Sequence, residues 1–364
     1  MLEDLRSELN ELDQQLVEMI ARRQAVVQRI GAAKRDSGTA TRDYGREKIV
    51  LEMARKNAEN QGISPELAEK TMQLLIHGSL QAQERDRLVH ASSGTNQSAL
   101  VFGGCGKMGG WFADYLASQS FSVDIVDPSD IDSRHPRASQ WQTNINDYDL
   151  IVVAAPIPVS ADILRQLLPL KPEGTIFDLA SLKSPLRQPL RALADAGCSV
   201  TSLHPMFGPD THLLSGRHVI FVDVGVPEAT SQAMALFDHT MAQRVEMSLE
   251  DHDRMVGYVL GLSHALNIAF FTALRESGEA SGVLAGLSST TFDAQLAVAR
   301  AVAREHPPMY FEIQQLNDYG RAPLSALNDA VTRIRELVER GDKDGFVQLM
   351  EKGHEYLSAT ERDT

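Results

Sequence analysis

Only two cysteines, Cys105 and Cys198, occur in 364 residues. That is too few for a disulfide framework and fits a reducing, cytoplasmic setting. No run of eighteen apolar residues is present, so the sequence offers no obvious membrane span. The N-terminus, Met1-Leu2-Glu3-Asp4, is acidic and lacks the basic-then-apolar layout of a signal peptide. Net positive charge is missing too: the formal charge is −14, which argues against a nucleic-acid-binding surface. No internal repeat or low-complexity tract stands out. The shortage of cations is uneven. Residues 1–90 hold 14 Lys+Arg against 15 Asp+Glu, so nearly all the excess negative charge lies beyond them. Such a segment suits an anionic ligand, or a helical surface laced with salt bridges.

Glycine and proline are absent until Gly31, while Leu5, Leu9, Leu12, Leu16, Met19, Ile20, Val27 and Ile30 recur at helical spacing. This predicts one long, coiled-coil-like helix over about 2–35. A second helix fits 43–61. A third starts at Ser64-Pro65-Glu66, with Ser as N-cap and Pro at the first helical position, and runs to about 90. One long and two shorter helices leave much of the long apolar stripe bare, which predicts dimerisation. Residues 91–98 are small and polar, a linker. Strands then fit 99–103, 121–126, 149–154, 174–179, 199–203 and 217–223. Helices lie between the earlier strands, and another fits 227–242. This predicts a parallel, doubly wound α/β sheet. From about residue 250 the pattern is helical, and 251–277 is apolar enough for a buried or interface helix. The fold expected is therefore an all-α module (1–90), an α/β Rossmann-type dinucleotide-binding domain (99–246) and an all-α C-terminal domain (247–364), for which the family resemblance described below implies a dimerisation role.

The nucleotide signal is Gly104-x-Gly106-x-x-Gly109, preceded by a strand and followed by a helix. Glycines there permit a tight turn and close approach of a pyrophosphate to backbone N–H groups, including those of Lys107 and Met108. A second strand ends in Asp127, 23 residues past Gly104. A carboxylate there accepts both ribose hydroxyls and repels a 2′-phosphate, favouring NAD. Met108 stands where an NTPase phosphate loop needs Ser or Thr, which excludes that alternative.

Ligands in open α/β sheets lie outside the carboxyl ends of the strands. One such end carries Ala154-Ala155-Pro156, another Asp178-x-x-Ser181-x-Lys183, and a third His204-Pro205-Met206-Phe207-Gly208-Pro209. A titratable imidazole on a rigid loop suits a general base. With the glycine loop, these segments resemble the prephenate dehydrogenase family. The resemblance implies NAD-dependent oxidation of the prephenate ring hydroxyl with loss of CO₂, giving 4-hydroxyphenylpyruvate, with His204 polarising the hydroxyl and Ser181 near the cofactor. Decarboxylation restores aromaticity, so the reaction runs strongly downhill. His264 falls at a family helix histidine, as a site residue or a core histidine. The family's arginine for the ring carboxylate aligns with Ala301, so either Arg300 or Arg304 serves. Ala154 replaces a polar residue of many members, which implies a missing hydrogen bond.

Residues 1–90 hold a second constellation. Arg23 and Lys34 are eleven apart, on one helix face. Asp43, Arg46 and Glu47 sit at i, i+3 and i+4, and Ser79 and Gln83 at i and i+4. Arg6 lies about 25 Å from Arg23 along the helix and would reach the same site only from a partner chain. This set resembles the all-helical chorismate mutases over the whole module. The resemblance implies rearrangement of chorismate to prephenate without nucleophile or proton transfer. Arg6, Arg23 and Arg46, with Ser79, would hold carboxylates. Lys34 and Gln83 would donate to the breaking ether oxygen. Asp43 and Glu47 would hold the ring hydroxyl. The product of the first module would be the substrate of the second, so the whole chain resembles the bifunctional chorismate mutase–prephenate dehydrogenases of tyrosine biosynthesis. The family implies a homodimer and feedback inhibition by tyrosine. The rivals are oxidation of arogenate, another hydroxy-acid dehydrogenase, or a non-catalytic helical module for dimerisation or regulation.

Overall fold

The computed structural model describes residues 1–287 and 289–360. The chain divides into two compact units, residues 1–181 with 188–248, and residues 182–187 with 249–364. The first unit holds both the N-terminal helices and the sheet.

Three helices open the chain: α1 (Leu2–Asp36), α2 (Tyr44–Asn60) and α3 (Pro65–Ala91). Helix α1 carries Glu3 and Asp4 in its first turn and Lys34 and Arg35 in its last, each charge opposing the nearby helix pole. Ser64 Oγ accepts the Leu67 N–H at 3.3 Å and Pro65 occupies the first turn of α3. Both α1 and α2 pack on α3. Of α1, only Val27 and Gly31 are buried, while Leu2, Leu5, Leu9, Leu12, Leu16 and Met19 are all more than half exposed.

A seven-stranded sheet follows, in the order β2-β1-β3-β4-β5-β6-β7. Its strands are β1 (Ser98–Phe102), β2 (Ser122–Val126), β3 (Leu150–Val153), β4 (Thr175–Asp178), β5 (Val200–Pro205), β6 (His218–Asp223) and β7 (Gln243–Ser248). Helices α4 (Lys107–Ser118), α5 (Ile157–Leu167), α6 (Arg187–Asp195) and α7 (Pro227–Ala235) connect them. Strands β1 to β5 are parallel, as expected, but β6 runs antiparallel to β5. No crossover helix lies in 206–217, and a chain that returns without one must pair antiparallel. Strand β7, parallel to β6, was not expected. It begins at Gln243, directly after the predicted helix over 227–242. Helix α7 stops at Ala235, and the Tyr115 hydroxyl donates to the Leu236 carbonyl at 2.7 Å. The core joins Phe112, Phe177, Phe221 and Phe237 with Leu88 from α3.

The second unit contains α8 (Leu249–Val256), a π-helical turn (Gly257–Leu262), α9 (Ser263–Glu276), α10 (Ser281–Gly286), α11 (Thr290–Arg304), α12 (Pro307–Gln315), α13 (Arg321–Arg340) and α14 (Lys343–Thr360). The run Leu249–Glu276 is long and apolar enough, by length and composition, to cross a membrane, although no uninterrupted apolar stretch announced it. Its buried polar contacts instead tie it to protein. Asp253 accepts the Lys183 N–H at 2.8 Å, and the Asp253 carbonyl accepts Asn317 Nδ2 at 2.9 Å.

Candidate active sites

A cavity of about 580 Å³ opens among α1, α2 and α3. Arg23, Lys34, Asp43, Arg46, Glu47, Ser79 and Gln83 all line it. All but Asp43 arrive from the three helices, at helical spacings that keep them on the inward face. Arg23 donates to Ser79 Oγ at 2.5 Å and to the Leu75 carbonyl at 3.0 Å, and burial lowers its pKa. Lys34 Nζ donates to the Thr41 carbonyl at 2.8 Å. Ser79 and Gln83 are buried. The Gln83 amide oxygen has no hydrogen-bond partner among the described residues, which is costly for a buried polar atom unless something enters the cavity to meet it. Gly31 admits Gln83 at close range: a Cβ there would stand 2.9 Å from Gln83 Cγ.

Two carboxylates in this cavity are already engaged. Helix α2 begins at Tyr44, so Asp43 is its N-cap, not a member of its face, and Asp43 Oδ1 accepts the Arg46 N–H at 2.9 Å. Both oxygens of Glu47 accept from Arg42, Oε1 from Nε at 2.9 Å and Oε2 from Nη2 at 3.0 Å. Arg42 carried no periodic signal, since it precedes the helix. Arg6 does not line the cavity. It is exposed, and α1 runs unbroken between it and Arg23.

The glycine loop joins β1 to α4. Gly103, one residue before the predicted motif, takes the left-handed φ of +77°, so the turn itself falls there and not at Gly104. A Cβ on Gly109 would stand 2.1 Å from the Gly103 carbonyl oxygen, so only glycine lets helix and loop meet. Gly106 is the N-cap of α4 and supplies no side-chain cap, leaving the first N–H groups of the helix, at Lys107 and Met108, for an anion. Asp127 Oδ2 accepts the Cys105 N–H at 3.0 Å and Oδ1 the Ser129 N–H at 2.9 Å. Burial pushes its pKa up, but the bonds from Ser129 and Cys105 and the nearby Arg137 outweigh it, and the net shift is downward. The carboxylate stays ionised, with lone pairs left for ribose hydroxyls. Arg137, unread in the sequence, donates to the Asp127 carbonyl at 2.8 Å. These features fit a dinucleotide.

His204 is buried near the carboxyl end of β5 and pairs in register with Ile220 of β6. Ser181 follows the end of β4, where Asp178 is fully buried and accepts the Ala180 N–H at 2.9 Å. The other predicted residues belong to the second unit. His264 on α9 stacks on Tyr310, with ring centroids 4.1 Å apart. Its Nδ1 is buried without a partner among the described residues, and burial lowers its pKa. Arg300 and Arg304 are both exposed on α11.

Comparison with known proteins gives three family matches: chorismate mutase type II over residues 5–84, the nucleotide-binding domain of prephenate dehydrogenase over 130–244, and its dimerization domain over 248–352. The glycine loop lies just outside the second span. The T-protein of Enterobacter agglomerans is 27% identical over 344 residues, covering 94% of this chain and 89% of its own. That of Haemophilus influenzae is 26% identical over 360 residues, covering 98% and 92%. The crystal structure of prephenate dehydrogenase from A. aeolicus with hydroxyphenyl propionate and NAD+ has a TM-score of 0.55 at 18% identity, covering 73% of this chain and 99% of that one.

Proposed function

The chain belongs to the bifunctional chorismate mutase–prephenate dehydrogenases of tyrosine biosynthesis, and on that footing we propose how its residues divide the work. It converts chorismate to prephenate and oxidises prephenate, with NAD, to 4-hydroxyphenylpyruvate and CO₂.

In the mutase step the protein must fold a flexible dianion into a chair and stabilise charge on the breaking ether oxygen. Arg23 and Arg46, with Ser79 and a partner-supplied Arg6, bind the carboxylates. Lys34 and Gln83 donate to the ether oxygen. Glu47, oriented by Arg42, and the N-cap Asp43 hold the ring hydroxyl. The observation that carries this reading is the convergence of Arg23, Lys34, Arg46, Ser79 and Gln83 on one cavity.

In the dehydrogenase step NAD, when bound, accepts the hydride. The loop 103–109 and the N-terminus of α4 would hold its pyrophosphate and Asp127 its ribose, with Ser181 also contacting the cofactor. His204 takes the hydroxyl proton as the carbonyl forms, and its burial on a strand fixes the ring for that transfer. His264 and Arg300 serve the substrate from the helical unit, Arg300 through the ring carboxylate.

The matched dimerization domain and the bare stripe of α1 support a homodimer. Inhibition by tyrosine and a cytoplasmic location complete the proposal. Supplying chorismate with and without NAD tests it. Prephenate should accumulate without NAD, and NADH and 4-hydroxyphenylpyruvate should appear with it. Full mutase activity in Arg23→Ala, or full oxidation in His204→Asn, would remove the assigned role.

A further inference from the structure

The chain between β5 and β6, residues 206–217, continues directly from His204. It has no regular structure, yet Leu213 and Leu214 within it are buried. Some of its hydrogen bonds are its own, such as Thr211 N–H to the Gly208 carbonyl at 3.1 Å. Another comes from α4, where Trp111 Nε1 donates to the Thr211 carbonyl at 2.9 Å. Two come from the mutase module. Glu84 Oε2 accepts the Leu214 N–H at 2.8 Å, and Arg42 Nη1 donates to Ser215 Oγ at 2.7 Å.

Glu84 is only 3% exposed. Its other oxygen, Oε1, accepts the Met241 N–H at 2.6 Å, in the turn before β7. One carboxylate thus fastens two separate loops of the dehydrogenase domain. Burying a charge is unfavourable unless it is well satisfied, and an apolar residue would fill the space at less cost. What the charge adds is direction: two short, charge-assisted bonds that fix where two backbone N–H groups lie. Arg42 is shared in a similar way. Nε and Nη2 grip Glu47 of the mutase cavity while Nη1 holds Ser215, and its guanidinium lies 4.3 Å from the centre of the Tyr44 ring. Glu84 in turn follows Gln83 on α3, so both clamps adjoin residues of the mutase cavity.

We infer that Glu84 and Arg42 are positioning residues for the dehydrogenase reaction, supplied by the mutase module, and that they hold the loop that continues from His204. The inference rests on the dehydrogenase reading of that loop.

The test uses the full chain, with prephenate and NAD supplied directly and the mutase assayed separately. Ser215→Ala removes the Arg42 bond without touching the mutase cavity. It should change prephenate kcat or KM by roughly 3–10-fold, the scale of one lost neutral or charge-assisted hydrogen bond, while chorismate kcat/KM stays unchanged. Ser215→Thr, which keeps a hydroxyl, should restore the parent constants. Glu84→Gln keeps a single acceptor oxygen. It should lower prephenate kcat/KM by about ten-fold or more and speed amide exchange at Leu214 and Met241. Prephenate kcat and KM unchanged in Ser215→Ala overturn the role of Arg42. The same result in a folded Glu84→Gln overturns that of Glu84. If Glu84→Gln does not fold, the exchange rates of Leu214 in Ser215→Ala decide whether the loop is held from the module at all. His204→Asn in parallel separates this inference from the base assignment: oxidation that survives His204→Asn removes the base, yet the clamp variants still report on the loop.

Discussion

Gly31→Ala should damage the mutase while leaving the dehydrogenase intact. Gly31 is buried on α1 where Gln83 of α3 crosses it, and an added Cβ would lie 2.9 Å from Gln83 Cγ, 3.7 Å from its Cδ and 3.8 Å from its Cβ. Carbon atoms pack comfortably at roughly 3.5–4.0 Å, so Gln83 must retreat by about 0.6–1 Å. Alanine is favoured over glycine inside a helix by ~1 kcal/mol, and overpacking a core costs about 1–3 kcal/mol, so the net loss of stability should be no more than ~2 kcal/mol. Activity is more sensitive. Displacing a group that stabilises charge by about 1 Å costs on the order of 100-fold, so mutase kcat should fall roughly 10- to 100-fold, a barrier increase of about 1.4–2.7 kcal/mol. The assay is chorismate disappearance in the full chain, beside prephenate oxidation with NAD. The variant Gly31→Ala/Gln83→Ala should be no slower than Gln83→Ala alone, because both changes act through one side chain. Unchanged mutase kcat in a folded Gly31→Ala would refute the reasoning, since Gln83 would then not need its present place.

Gln83→Glu should keep mutase activity at acid pH and lose it as pH rises through the new carboxyl's pKa, because only the protonated form donates; activity maintained at high pH in a pH–rate profile would count against the donor role. Gly109→Ala should raise the KM for NAD sharply or prevent folding of the sheet domain, since its Cβ would meet the Gly103 carbonyl oxygen at 2.1 Å; NAD titration by fluorescence and thermal melts separate the two. Asp253 is fully buried. Burial alone pushes its pKa up, but hydrogen bonds from His252, Ser184 and the Lys183 N–H win, and the net shift is downward. The unfolded chain then binds the proton more readily, so Asp253 stabilises the fold above the ordinary carboxylate range and loses that contribution as pH falls toward its lowered pKa. Asp253→Asn should lower thermal stability at neutral pH and flatten the acid limb of the stability profile.

The features that depend on local periodicity were legible in the sequence. Helices α1 and α3 follow from the leucine spacing and from Ser64-Pro65, and Arg23, Lys34, Arg46, Glu47, Ser79 and Gln83 share a cavity because helical spacing sets their direction. Strand β7 escaped notice because Gln243-Arg244-Val245-Glu246-Met247-Ser248 sits at a sheet edge and is mostly polar, although its alternation carries a weak period of two. The turn of β6 against β5 depends on a loop with no signal of its own. Gly103 was masked by its neighbour Gly104, and only the backbone angle distinguishes them. Arg42, Glu84 and Arg137 were invisible for a different reason. Arg137 and Glu84 meet loops, and Arg42 divides between Glu47 and the loop residue Ser215; for Glu84 the partners are 130 and 157 residues away, a pairing that no spacing rule encodes.

That separation also bears on how the protein is made. The three helices leave the ribosome before the sheet, yet Leu88 completes a core whose other members, such as Phe112 and Phe237, come later. Translation at about 5–20 residues per second puts Leu214 and Met241 roughly 7–30 seconds behind Glu84. Until then the Glu84 carboxylate is an ordinary hydrated charge and the last turns of α3 have nothing to cover them. The helical module is therefore completed only after most of the sheet behind it has been made, by a docking event that seals α3 onto that sheet.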